Sequence, residues 1–191
     1  MRHTRIAPGL GLIATTFLTV AAAQTPAPPR DQLPQFSPDG RLQRPTGWEA
    51  WVMVGTSTGL SYSDEVNARP GAGPGMFHNV YLQPWAYRHF VDTGRFPEGS
   101  MFVLSFFAPS RDAAPARAGY YPADPMPVVE VHLKKAGVDS TGWGFYNFGE
   151  GVEAASRIPG AAACYSCHAK EARVDHVFVQ FYPALRRFVR Q

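Results

Sequence analysis

Apolar and polar positions alternate with the two-residue period of half-buried strands in several short runs between residues 76 and 148. Met76 to Gln83 alternates and is rich in Val, Tyr and Phe. In Val128 to Lys134, Val129, Val131 and Leu133 point one way and Glu130, His132 and Lys134 the other. Trp143 to Phe148 reads as a short aromatic strand. Ser100 to Phe107 is almost continuously apolar, which marks a central strand covered on both faces. Between the first two strands, Pro84 to Thr93 opens with proline and closes before Gly94, the punctuation of a helix. Trp48, Trp51 and Val52 recur at helical spacing and predict a short helix, and Phe96-Pro97-Glu98-Gly99 predicts a turn. Residues 63 to 75 end in a Gly- and Pro-rich run and residues 108 to 126 are rich in Ala, Pro and Arg, and both read as loops. The sum is an α+β domain, a mainly antiparallel sheet with a few helices.

The first residues follow a different rule. Arg2 and Arg5 precede an apolar stretch from Ile6 to Val20, and Ala21-Ala22-Ala23 offers a small-residue cleavage site. This is the layout of a secretory signal peptide over residues 1–23. A membrane anchor is the alternative, but the stretch is short of the roughly 20 residues a span needs. Residues 24–46 carry Pro26, Pro28, Pro29, Pro34, Pro38 and Pro45 and read as an extended arm or linker. The folded domain is expected over residues 47–191. The 13% aromatic content of the whole chain excludes a disordered chain. The net charge of +3 includes both leader arginines; without them 16 basic side chains stand against 15 acidic, and no basic run suggests nucleic acid. The expected product is a periplasmic protein with no membrane attachment after cleavage.

Cys164-Tyr165-Ser166-Cys167-His168 is the most specific pattern in the chain, and it is the attachment pattern of a c-type haem. On a helical turn, residues three and four apart share a face. Both thiols then meet the vinyl groups of one porphyrin as thioethers, and His168 ligates the iron from the proximal side. A thioredoxin-like pair has the same cysteine spacing but follows a strand in an α/β setting, which the pattern above does not offer. A disulfide across so short a loop is strained, and a zinc site needs further Cys ligands that the chain lacks. The motif lies near the C-terminus and no Met follows Met126, so a sixth ligand comes from elsewhere or is absent. His78, His89, His132 and His176 are candidates, with a core or solvated position as the alternative for each. The favoured reading is a five-coordinate iron with an open distal side, suited to small ligands.

Several further segments carry a family resemblance. Phe77-His78-Asn79-Val80-Tyr81, Tyr87, Thr93-Gly94-Arg95-Phe96-Pro97-Glu98-Gly99 and Gly142-Trp143-Gly144-Phe145-Tyr146 resemble successive motifs of the cytochrome P-460 family. Cys164 to His168, followed by Asp175-His176-Val177-Phe178-Val179-Gln180-Phe181-Tyr182-Pro183, resembles its C-terminal signature. The resemblance implies one covalent haem c on a mainly antiparallel sheet, with His168 as the proximal ligand and a homodimer as the assembly to expect. It also implies one of two branches. One oxidises hydroxylamine and carries a lysine cross-linked to its porphyrin; the other, cytochrome c′-β, binds nitric oxide beside distal phenylalanines.

The chain holds only Lys134, Lys135 and Lys170, and Leu104, between Phe102 and Phe106, stands where the resemblance places the cross-linking lysine. Phe77 and Phe106 are the candidate distal wall, with ordinary core aromatics as the alternative. Glu130, His132 and Arg88 are the polar groups to place against that wall; a carboxylate in the pocket would accept a proton in hydroxylamine oxidation, whereas a solvated sheet face is the other fate of Glu130 and His132. Asp175 and His176 are candidates to tie down the proximal imidazole or a haem propionate, or to pair locally with Arg173. The function expected is binding of nitric oxide or a related nitrogen oxide, alongside a redox partner protein. A hydroxylamine-oxidising enzyme and a simple electron-transfer cytochrome are the alternatives.

Overall fold

The computed structural model describes residues 27–61 and 73–190. The expected leader, residues 1–23, and most of the expected loop at 63–75 lie outside the described residues.

The chain runs through β1 (Leu42–Gln43), β2 (Val52–Thr58), β3 (Phe77–Leu82), α1 (Pro84–Thr93), β4 (Met101–Ser110), β5 (Tyr121–Lys134), β6 (Trp143–Phe148), β7 (Ala154–Ala155), α2 (Ala163–Glu171) and α3 (Pro183–Arg186). The main sheet is an antiparallel meander in the order β2-β3-β4-β5-β6. The architecture is α+β, as the alternation implies.

Strand β4 lies at the centre, and its continuous apolar character follows from cores on both faces. On one face Met101, Val103, Val129, Val131, Leu133, Tyr146 and Phe148 are buried against Trp48, Trp51 and Leu42. On the other, Leu82, Phe102 and Trp143 lie beneath α1 and the C-terminal tail, where Phe90 stacks on Phe96 at 4.3 Å. The expected extended arm lies against the sheet: Leu42 is fully buried, and β1 pairs with β7. The helix expected around Trp48 is a single 3-10 turn, Trp48–Ala50, followed directly by β2. Gly47, at φ +67°, starts that turn.

Gln83 fastens the layers together. Its side chain is completely buried; Nε2 donates to the carbonyls of Gln32 (3.1 Å) and Gly99 (2.9 Å), and Oε1 accepts from the Met101 N–H (2.6 Å). The arm, the end of β3 and the start of β4 thus share one amide. Among the described residues, no helix is long and apolar enough to cross a membrane.

Candidate functional site

Helix α2 holds the Cys-Tyr-Ser-Cys-His motif. Its two cysteines are free thiols, partly exposed and one turn apart, and His168 follows four residues after Cys164. Tyr165, between the cysteines, points inward and is buried. Its hydroxyl donates to the Ile158 carbonyl and accepts from Arg157 Nη1, both at 3.1 Å, and its ring meets Phe145 edge-on at 4.8 Å. The same helix therefore anchors itself to β6 through one side chain and keeps both thiols partly exposed.

His168 packs against Phe178 (4.3 Å between centroids), Phe145 (4.7 Å) and His132 (4.8 Å). Its Nδ1 lies 2.7 Å from the backbone carbonyl of His176. A carbonyl oxygen only accepts, so the proton is on Nδ1 and Nε2 carries the free lone pair. No protein group among the described residues hydrogen-bonds that Nε2. Burial pushes the His168 pKa below its usual value; the bond to the His176 carbonyl opposes this in part, and the His176 side chain adds to the lowering. The ring is thus a neutral imidazole at neutral pH, the form that ligates a metal.

Helix α2 ends at Glu171, so Asp175 and His176 do not continue it. Gln180 closes the helix end, donating to the Glu171 carbonyl (2.8 Å) and accepting from the Arg173 N–H (3.3 Å). Residues 174–177 then form a tight turn, closed by Val177 N–H to the Val174 carbonyl at 2.8 Å. Its two central residues, Asp175 (φ +47°) and His176 (φ +59°), are both left-handed and neither is glycine. Such conformations cost of order 1–3 kcal/mol each when the surroundings impose them. The Asp175 carboxylate accepts from Trp143 Nε1 at 3.2 Å and pairs with the Lys134 ammonium. Asp175 therefore pairs with Lys134 and not with Arg173.

The strand register decides which expected residues share the His168 side of the sheet. His132, Phe145, Glu130 and Asn147 alternate onto one face, together with Leu104, Phe106 and His78. Phe106 meets His78 edge-on at 5.1 Å. Phe77 is paired with Phe107 and alternates to the opposite face, so the two phenylalanines of the expected wall are not brought together. His132 is buried, stacked on Phe145 at 4.2 Å, and its Nε2 has no partner among the described residues. Arg88 and His89 are exposed on α1. Partial desolvation beside the sheet raises the pKa of Glu130 although its side chain remains exposed to solvent, against the lowering effect of a hydrogen bond from Asn147 Nδ2 at 3.3 Å. Burial also lowers the pKa of His78.

Along this face, Leu82 and Phe102 are buried under α1 and the tail and His132 among Trp143, Phe145 and His168, whereas Leu104, Phe106 and Phe145 are half-buried and Glu130 and Asn147 are exposed. Among the described residues this half-buried part is mostly apolar, and Phe145 joins it to His168. Each of the three lysines is engaged by another group: Lys134 is held by Asp175, Lys135 lies over the Phe36 ring at 5.4 Å, and Lys170 pairs with Glu171 at 3.0 Å. Phe145, Phe178 and Gln180 are the contributors that site reasoning from sequence did not single out. The pairing of β5 with β6 holds the signal for Phe145, because it sets Phe145 opposite His132.

A free imidazole nitrogen, two unpaired thiols on one helical turn and an apolar platform are the donor set and bed of a haem, and the residues fit that group. Among the described residues no cluster of three or more His, Cys, Asp and Glu side chains is arranged to hold a bare metal ion. Fold and site together define a haem-binding domain built on an antiparallel sheet. The family model for cytochrome P-460 matches residues 45–179, and the chain belongs to that family of haem-binding cytochromes. No curated protein matches the chain.

Proposed function

We propose that the chain is an exported, periplasmic mono-haem c-type cytochrome whose open distal iron site binds nitric oxide or a related small nitrogen-oxide ligand. Cys164 and Cys167 hold the porphyrin as thioethers, and His168 Nε2 is the proximal ligand. When bound, the haem supplies an iron with one coordination position for a small ligand. The chain's own part is to fix the imidazole tautomer, keep the bed apolar and limit the approach of water.

The observation that carries this reading is Leu104. It stands about where the family resemblance places the cross-linking lysine of the hydroxylamine-oxidising branch, and it lies in the strand register between Val80 and Glu130 on the face shared with His132 and Phe145. Leu104 and Phe106 offer no hydrogen bond to bound oxygen or peroxide, whereas nitric oxide, nearly uncharged when bound, needs little polar support. The exported location rests on the leader pattern of residues 1–23.

Glu130 favours a second reading, hydroxylamine oxidation, because it is a carboxylate of raised pKa on the same face. The absorption spectrum of the ferrous holoprotein, paired with a hydroxylamine turnover assay, separates the two. The proposal expects an ordinary c-type spectrum and no turnover. A strongly shifted ferrous band together with turnover establishes the enzyme reading instead.

A further inference from the structure

We infer that Asp175 is a positioning residue for the proximal ligand: by fastening the 174–177 turn to the ends of β5 and β6, it sets the hydrogen bond that fixes how strongly His168 donates to iron. The inference rests on the proposed ligation of haem iron by His168.

The chain of contacts is continuous. Lys134 is the last residue of β5, and its register partner Trp143 opens β6. Trp143 is fully buried, so its indole N–H is a fixed donor, and it meets Asp175 at 3.2 Å. The Lys134 ammonium pairs with the other carboxylate oxygen of Asp175 and sits 5.6 Å above the Trp143 ring. Asp175 and the next residue, His176, both hold left-handed backbone conformations. The carbonyl of His176 receives the Nδ1–H of His168.

A left-handed Asp-His pair is not self-sustaining, because either residue relaxes to a commoner backbone conformation once released. The two bonds to the Asp175 carboxylate hold it. A short Nδ1–H···O bond places negative character on the imidazole and makes Nε2 a stronger donor, which favours the oxidised metal. Without Asp175 the turn relaxes, the bond lengthens and Nε2 becomes a weaker ligand.

The test is the iron–histidine stretching band of the ferrous holoprotein by resonance Raman, with the reduction potential as a second readout. Asp175→Ala is expected to move the band to lower frequency and the potential upward. Asp175→Asn keeps an acceptor for Trp143 and loses the charge pair; Lys134→Met does the same from the other side. Both are expected to shift in the same direction by less than Asp175→Ala, and they decide the matter alone if Asp175→Ala does not accumulate. Gln83→Ala, which loosens the fold elsewhere, is expected to leave the band in place. Unchanged bands in the Asp175 and Lys134 variants, or an equal shift in Gln83→Ala, overturn the inference. A wild-type protein with no iron–histidine band overturns the proposed five-coordinate iron on His168 instead, the reading on which the inference rests.

Discussion

A backbone oxygen, that of His176, decides which nitrogen of His168 is free. The spacing of Cys164, Cys167 and His168 was readable without any structure, because one helical turn dictates it. The carbonyl was not, because it depends on α2 ending at Glu171 and on a left-handed turn that Asp and His rarely form together. His132 was equally hidden. Alternation assigns it a face but not the cover on that face, which comes from Trp143, Phe145 and His168. Two outcomes are expected at this scale. Replacing both Cys164 and Cys167 by Ala should abolish covalent haem, read as the loss of the haem increment in the denatured intact mass. Persistence of that increment would contradict the thioether assignment. His168→Ala should keep the increment, because the thiols remain, but lose the iron–histidine band.

The elements show where sequence pattern is sufficient and where it fails. Helix α1 and strand β6 have the boundaries that their proline, glycine and aromatic signals give. Strand β5 begins at Tyr121, well inside the expected 108–126 loop, although Pro122, Pro125 and Pro127 interrupt it. Those prolines are tolerated because β6 pairs only with residues 129–134, so the first half of β5 has a neighbour on one side alone. Strand β2 escaped notice because Gly55 interrupts its apolar run. That glycine is required: a Cβ there would lie 2.7 Å from the Tyr182 ring and 3.0 Å from the Phe181 carbonyl. Gly55→Ala is therefore expected to cost about 1–3 kcal/mol by forcing the tail off the sheet, as overpacking does. Gln83→Ala should cost about 3 kcal/mol, since buried backbone groups of Gln32, Gly99 and Met101 lose their partner. Urea unfolding monitored by circular dichroism checks both; midpoints equal to wild type would contradict the packing described.

For the whole molecule, a sheet with cores on both faces leaves part of one face half-buried and mostly apolar among the described residues, and this is the proposed bed of the haem. The fold class was legible because alternation marks strands that are partly solvated, and one continuous apolar run marks the centre. The arm's contribution to the core was not, because Leu42 is one apolar residue in a proline-rich stretch. Acid should weaken this fold. Burial holds the pKa of His132 well below 6.5, with His168 and His176 adding in the same direction, and burial lowers that of His78 as well. The unfolded chain thus binds more protons than the folded one just below that pH, and stability falls as pH falls, by at most about 1.4 kcal/mol per pH unit for each histidine. A urea midpoint at pH 5 equal to or above that at pH 7 would contradict it.

The most direct test of the central claim is titration of the ferrous holoprotein with nitric oxide at neutral pH, followed by absorption. The account predicts a high-spin ferrous haem of ordinary c-type character that converts completely with one equivalent of nitric oxide per haem. A low-spin ferrous haem whose spectrum ignores the gas would mean that a protein side chain already fills the sixth position, and would contradict it.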